Sequence, residues 1–119
     1  MSDKIYIRDL ALRCIVGIYP EERNERQDVV INVTLEGDLS AAQASDRIED
    51  TVNYKTIKKE IVRVVESSEC QLIETLAGRI LDCCWRDPRV ARATVTVDKP
   101  GALRFARSVA VELSRARPG

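Results

Sequence analysis

Residues 91–97 read Ala91-Arg92-Ala93-Thr94-Val95-Thr96-Val97, an alternation of apolar and polar side chains. A period of two is typical of a β-strand with one buried face. Lys99-Pro100-Gly101 follows and predicts a tight link. Alternation resumes from Leu103 to Leu113, which predicts a second strand paired with the first.

The N-terminal third carries two more alternating segments. Residues 4–18 predict a long strand, and a change of phase at Arg8-Asp9 predicts a bulge or bend within it. A polar stretch over residues 19–27 predicts a loop. Residues 28–39 alternate again and predict a second strand, and residues 40–50 predict a polar connection with room for a short helical turn.

The middle of the chain has the helical period instead. Apolar side chains recur three or four apart over residues 54–65, with Thr51 or Asn53 as the candidate N-cap. A break at Ser67-Ser68 separates this helix from a second one over residues 72–85, which ends before Pro88.

The element order is therefore β-β-α-α-β-β, in an α+β domain over residues 1–119. One antiparallel sheet of four strands satisfies this order, with the helix pair covering one face. We expect ring assembly to remove the two open edges, closing a barrel lined by the other face of the sheet. That other face is predicted to be small and polar, and to carry Asn32, Thr34, Thr94, Thr96, Ala106, Ser108 and Ala110.

Charge and hydropathy exclude several kinds of protein. Hydrophobic residues make up 45% of the chain, and 19 basic residues balance 19 acidic ones. Nucleic-acid or acidic-membrane partners call for a basic excess, so we expect neither. No apolar run is long enough to span a bilayer, and the first residues lack the apolar core of a signal peptide. We expect a cytoplasmic protein.

Histidine is absent, and the four cysteines form no Cys-x-x-Cys pair. A metal site is therefore not expected, and the thiols are interpreted as free cysteines in a reducing compartment. Nucleophilic triads that need histidine are excluded as well. Any acid–base chemistry must use lysine, tyrosine, aspartate or glutamate.

Four short motifs occur along the β-β-α-α-β-β order: Gly17-Ile18-Tyr19-Pro20-Glu21-Glu22, Asp50-Thr51-Val52-Asn53-Tyr54, Leu72-Ile73-Glu74 and Asp98-Lys99-Pro100-Gly101-Ala102-Leu103. Together they resemble the dihydroneopterin aldolase family of the tunnelling fold, which includes the dihydroneopterin triphosphate epimerases. The resemblance implies retro-aldol cleavage of 7,8-dihydroneopterin in folate biosynthesis, giving 6-hydroxymethyl-7,8-dihydropterin and glycolaldehyde without metal or cofactor.

The same resemblance implies which residues bind the pterin ring. Glu74 is expected to accept hydrogen bonds from the amino group and neighbouring N–H of the ring, since a carboxylate matches that edge. A backbone contact is expected near Ile73, and Val52 is expected to touch the face of the ring. By its sequence position alone, Glu74 is equally an ordinary acidic residue in a first helical turn.

Lys99 and Tyr54 are the catalytic residues that the resemblance implies. Lys99 stabilises developing charge and relays a proton through water, and Tyr54 donates or accepts the side-chain proton. The resemblance also implies Glu22 as a catalytic and substrate-binding residue, which binds the hydroxyls of the substrate or orients Lys99. Its neighbour Glu21 leaves that assignment ambiguous by one position, although the family's spacing from Gly17 selects Glu22.

The resemblance also implies a homo-oligomer, as a tetrameric ring or an octamer of two rings. Active sites would lie between subunits, with Tyr54 and Glu22 across an interface from Glu74 and Lys99.

Two alternatives remain open at this stage. One is a dihydroneopterin triphosphate 2'-epimerase, in which arginine side chains meet the triphosphate. The other is a non-catalytic ring-forming domain that binds a pterin or purine. The candidate phosphate ligands are Arg23, Arg26, Arg104 or Arg107.

Overall fold

A computed structural model describes residues 2–119. Its four long strands form one antiparallel sheet in the order β1-β2-β3-β4. The elements in chain order are β1 (Asp3–Cys14), α1 (Pro20–Arg23), β2 (Gln27–Gly37), α2 (Ser40–Ser45), a 3-10 turn (Ile48–Asp50), α3 (Tyr54–Glu66), α4 (Ile73–Cys84), β3 (Arg92–Pro100) and β4 (Ser108–Ala116).

Alternation places one set of strand residues in the core. On β2 and β3 every second side chain is buried, and the two strands pair in register from Val30 opposite Asp98 to Glu36 opposite Arg92. The helices α3 and α4 cover this apolar face. The predicted α+β sheet with two helices on one face is confirmed. The buried strand residues are Val29, Ile31, Val33, Leu35, Ala93, Val95, Val97 and Lys99.

The predicted break in β1 is a β-bulge. The pairing with β2 shifts register between Ile7 and Leu10, and Asp9 has φ +53°. The Asp9 amide donates to the side-chain oxygen of Asn32 at 3.0 Å, so the unpaired backbone group is satisfied.

Both long helices start and stop as the sequence indicates, within one residue. Of the two candidate residues, Asn53 is the N-cap of α3, because its side chain accepts a hydrogen bond from the backbone amide of Thr56 at 3.2 Å. Each helix buries one stripe against the sheet, α3 near β1 and α4 near β3 and β4. No helix within residues 2–119 is long and apolar enough to cross a bilayer.

Two predicted strand boundaries are wrong by four or five residues. β1 ends at Cys14 rather than residue 18, because the chain turns at Gly17, whose amide donates to the Cys70 carbonyl. β4 begins at Ser108 rather than residue 103. Residues 101–107 instead form a loop that the Gly101 amide closes by donating to the Arg107 carbonyl, with Phe105 at φ +70° and 98% exposed.

The face opposite the helices carries small and polar residues, as predicted, together with charged ones such as Glu36, Arg92 and Glu112. Thr94 hydrogen-bonds to Ser114 at 2.9 Å, and Thr96 donates to Glu112 at 3.1 Å across the β3–β4 pair. The prediction fails for Ala106, which lies in the loop rather than on a strand. β1 and β4 are the outer strands, so the single chain leaves both edges of the sheet open.

Candidate functional site

A cavity of about 190 Å³ lies where three parts of the fold meet. They are the turn after β1, the start of α4, and the junction of β3 with β4. Four of the predicted site residues line this cavity: Glu22, Ile73, Glu74 and Lys99. The other lining residues are Val16, Gly17, Ile18, Gln71, Leu72, Ala102 and Val109.

Lys99 is the chemical centre of this cavity. It continues the buried phase of β3, and only 8% of it is exposed. Its Nζ donates to Glu22 Oε2 at 2.6 Å and to the Val16 carbonyl at 3.1 Å. An ammonium has three N–H donors, so two are satisfied within residues 2–119 and one remains for a ligand or water.

Glu22 reaches Lys99 because the preceding turn is held tightly. The Tyr19 amide donates to Glu22 Oε1 at 3.3 Å, which anchors the carboxylate over the short helix α1. The hydrogen bond from Lys99 is the main cause that holds the pKa of the Glu22 carboxyl below its usual value. Glu22 is therefore an anion at neutral pH, and it rather than Glu21 meets the lysine.

Gly17 makes room for this carboxylate. Its φ of +145° is a conformation that L side chains rarely adopt. A Cβ at this position would lie 2.6 Å from Glu22 Oε1. The glycine of the first motif thus has a steric role, which is to let the backbone and the Glu22 side chain come together.

Glu74 is in the first turn of α4 and lines the same cavity as Glu22. Its carboxylate is exposed and has no hydrogen-bond or ion-pair partner within the described chain. The helix begins at Ile73 without a side-chain cap, so its first backbone N–H groups are also free. The cavity therefore offers an unpaired acceptor beside unpaired backbone donors, which suits a ligand with a donor–acceptor edge.

Tyr54 and Val52 do not line this cavity. Tyr54 is 45% exposed and borders a separate hollow with Ile48 and Lys59, while Val52 is buried in the core. The six predicted residues thus form two groups within one chain. The expectation that Glu22 lies across an interface from Lys99 is wrong, since the two side chains of one chain form an ion pair.

The cavity lacks a wall on one side. Small-molecule pockets typically enclose roughly 300–1,000 Å³, more than this one does. Ile18 and Leu72 line it, yet each remains about half exposed. Two apolar side chains at the rim of a partial pocket favour completion by another molecule.

Arg23 and Asp87 are two residues whose roles the sequence did not reveal. Arg23, considered above as a phosphate ligand, donates to three backbone carbonyls at 3.1, 3.1 and 2.7 Å. The buried Asp87 carboxylate accepts from the Asn53 amide at 2.9 Å, and so fixes the start of the helix that bears Tyr54. Both side chains form hydrogen bonds with backbone groups. Every residue has such groups, so the pattern of side chains in the sequence does not indicate these bonds.

The four thiols are all free and buried. Burial raises the pKa of Cys14 and Cys83 to about 11 and that of Cys84 to about 12. A thiolate is the reactive form, so these three cysteines are unsuited to nucleophilic catalysis. Within residues 2–119, no group of three or more candidate ligands is placed to hold a metal ion.

The sheet and cavity define a class: a small α+β protein that presents a buried lysine, its carboxylate partner and a free carboxylate to a small polar molecule. Comparisons with known proteins narrow this class. The family model for dihydroneopterin aldolase (FolB) matches residues 5–114. The chain therefore belongs to the dihydroneopterin aldolase family, a family of enzymes.

Relatives with two different activities resemble this chain. The dihydroneopterin triphosphate 2'-epimerase of Pseudomonas aeruginosa is 43% identical over 111 residues, covering 93% of this chain and 90% of the relative. The dihydroneopterin aldolase of Streptomyces coelicolor is 36% identical over 100 residues, covering 84% of each. The crystal structure of Escherichia coli dihydroneopterin aldolase with neopterin has a TM-score of 0.90 and 25% identity, covering 96% of this chain and 99% of that one.

Proposed function

We propose that this enzyme cleaves the side chain of 7,8-dihydroneopterin by a retro-aldol reaction. The observation that carries the proposal is the buried Lys99–Glu22 pair, which lines the same cavity as the unpaired Glu74. A cation with a free N–H and an acceptor for the ring are two of the requirements of this chemistry. Membership of the aldolase family supplies the substrate class.

The reaction needs one proton removed and one delivered. A base takes the proton of the 2'-hydroxyl, the C1'–C2' bond breaks, and carbons 2' and 3' leave as glycolaldehyde. The bonding electrons pass from C1' into the C6=N5 imine of the ring, giving an enol that is protonated at C1' to form 6-hydroxymethyl-7,8-dihydropterin. Because the pterin itself accepts the electrons, no metal or organic cofactor is required.

Lys99 is proposed to stabilise the charge that develops on the ring. Its ammonium is shielded from bulk water and keeps one N–H free, so it can interact with the ring or hold a relaying water. Glu22 orients the ammonium through the 2.6 Å bond. This favours the second of its two expected roles, that of orienting Lys99.

Glu74 is proposed to bind the pterin ring through the amino group and its neighbouring N–H. Bidentate hydrogen bonds to a carboxylate are strong and directional, and this carboxylate has no competing protein partner. The backbone at Ile73, at the start of α4, supplies the adjacent contact.

Tyr54 is proposed to enter the site from a second copy of the chain, together with the backbone at Val52, whose own side chain is buried in the core. The missing wall of the cavity, the half-exposed Ile18 and Leu72, and the open edges β1 and β4 support a ring of edge-paired sheets, as a tetramer or stacked octamer. In that ring the Tyr54 phenol moves the side-chain proton. Four unpaired cysteines favour a cytoplasmic location for this assembly.

A second candidate is the dihydroneopterin triphosphate 2'-epimerase, and two observations favour it. The 43% identical relative carries that name. In addition, the 101–107 loop borders the cavity at Ala102 and carries Arg104 and Arg107, neither of which has an ion-pair partner within residues 2–119. Epimerisation uses the same cleavage, followed by re-addition of C1' to the other face of the aldehyde.

Incubation with 7,8-dihydroneopterin, with glycolaldehyde as the readout, tests the main proposal. Release of glycolaldehyde with 6-hydroxymethyl-7,8-dihydropterin supports the aldolase. Inversion of the triphosphate at C2' without net cleavage supports the epimerase. Pterin binding without turnover of either substrate supports the non-catalytic alternative and ends both proposals.

Two variants separate chemistry from binding. Lys99→Ala is expected to abolish turnover and leave the Kd for neopterin within a few-fold, since the lysine acts on developing charge. Glu74→Ala is expected to weaken neopterin binding by about 100-fold, because ring donors lose a charged partner. Lys58→Ala and Glu66→Ala remove exposed charges of the same types and serve as controls. A fully active Lys99→Ala enzyme refutes the mechanism.

A further inference from the structure

Two of the segments that line the cavity carry its two carboxylates. Residues 16–22 carry Glu22, and residues 71–74 carry Glu74. One backbone hydrogen bond joins the first segment to the residue that precedes the second, from the Gly17 amide to the Cys70 carbonyl at 3.2 Å. Loops are more mobile than the helices and strands that they connect, so further bonds between these two loops limit how far they move apart.

Arg23 supplies the remaining hydrogen bonds between these two parts of the chain. One terminal nitrogen donates to the Gly17 carbonyl and to the Cys70 carbonyl, both at 3.1 Å. The other donates to the Glu69 carbonyl at 2.7 Å. The guanidinium thus bonds to the turn that precedes Glu22 and to the loop that leads into α4. Its planar, fixed fork of donors is suited to holding several carbonyls in one arrangement.

We propose that Arg23 is a positioning residue, which clamps the two walls of the cavity and sets the distance between the Lys99–Glu22 pair and Glu74. This inference rests on the proposed function for its kinetic consequences. Three of the five N–H donors of Arg23 are engaged by protein carbonyls, which makes Arg23 a weaker candidate phosphate ligand than Arg104 or Arg107.

The clamp makes a distinctive kinetic prediction. Arg23→Met keeps much of the length of the side chain but removes all three hydrogen bonds. We expect KM for 7,8-dihydroneopterin to rise about 10-fold, since substrate binding must then also hold the two segments at the productive distance. The increase is expected to be the same for the triphosphate substrate, because the clamp does not touch phosphate.

Controls distinguish this role from a general loss of stability. Arg63→Met removes a guanidinium that bonds only to Glu60 on the outer face of α3, so KM should change less than about twofold. Arg23→Lys retains one donor group and should give an intermediate KM. If Arg23→Met does not fold, the KM of Arg23→Lys is compared with that of Arg63→Met. A higher KM for Arg23→Lys then supports the positioning role of Arg23, and an equal KM contradicts it. All KM values are measured about 15 °C or more below the melting temperature of each variant, so that every variant is folded during the assay.

Hydrogen exchange supplies a readout that needs no substrate. The Gly17 amide should exchange faster in Arg23→Met, while amides of the β2–β3 pair keep their protection. If the wild-type enzyme turns over no pterin, the proposed function fails. The exchange rate of the Gly17 amide then tests by itself whether Arg23 holds the two segments together. Unchanged KM and unchanged Gly17 exchange overturn the inference, as does a KM increase confined to the triphosphate.

Discussion

Replacing Gly17 with alanine tests how closely the first turn packs against the catalytic pair. The added Cβ would lie 2.6 Å from Glu22 Oε1 in a backbone conformation with φ +145°. Holding alanine in that conformation costs about 1–3 kcal/mol. Glu22 must also move, which breaks its 2.6 Å bond to Lys99.

The cost of breaking that pair follows from its burial. Removing one partner of a fully buried ion pair costs about 3–5 kcal/mol. The Lys99 and Glu22 side chains are 10% and 22% exposed, so water compensates part of the loss. We take about 2 kcal/mol for the pair and about 3–5 kcal/mol for the whole substitution. At roughly 4 °C per kcal/mol, the melting temperature should fall by about 12–20 °C.

Two other glycines provide matched controls. Gly101 has φ +71° but no atom within 4 Å of an added Cβ, so Gly101→Ala should cost only the backbone strain, about 1–2 kcal/mol. Gly78 lies inside α4 with open space around it, so Gly78→Ala should stabilise the protein by about 0.5–1 kcal/mol.

The assays are urea unfolding for the free energy and thermal unfolding for the melting temperature, both at one fixed protein concentration, since association affects apparent stability. Glycolaldehyde release is measured on the same samples, and we expect kcat of Gly17→Ala to fall about 100-fold because the lysine loses its orientation. The reasoning is refuted if Gly17→Ala costs no more stability than Gly101→Ala.

Further predictions concern acid, the thiols and a helix cap. Glu22 has an ordinary pKa of 4.5 in the unfolded chain and a lower pKa in the folded protein. The ion pair with Lys99 therefore stabilises the fold fully above pH 4.5, and this stabilisation is lost as the pH falls through the folded pKa. Glu22→Gln should therefore flatten the stability curve below about pH 4.5 in urea unfolding at several pH values. A thiol reagent at pH 8 should label less than one cysteine in the native enzyme and four after unfolding, because all four thiols are buried. Asn53→Ala should cost about 1 kcal/mol and Thr51→Ala much less, since only Asn53 caps α3; equal losses would contradict the assigned cap.

The sequence alone was sufficient for the architecture. Period-two and helical patterns act through local burial, so they identified the four strands, the two helices and the bulge at Asp9. They failed at residues 103–107, where alternation continues although the chain forms a loop closed by a backbone hydrogen bond. Four short motifs were sufficient for the family, because they occur in the family's order on the expected elements.

Tertiary structure alone decided which of the motif residues meet. Glu22 and Lys99 are far apart in sequence, and only the sheet register and the turn at Gly17 bring them to 2.6 Å. The role of Arg23 depends on carbonyl groups, which every residue possesses, so no pattern of side chains encodes it. Local periodicity records which face of an element is buried, whereas a site depends on distances between elements, and those exist only in the folded chain.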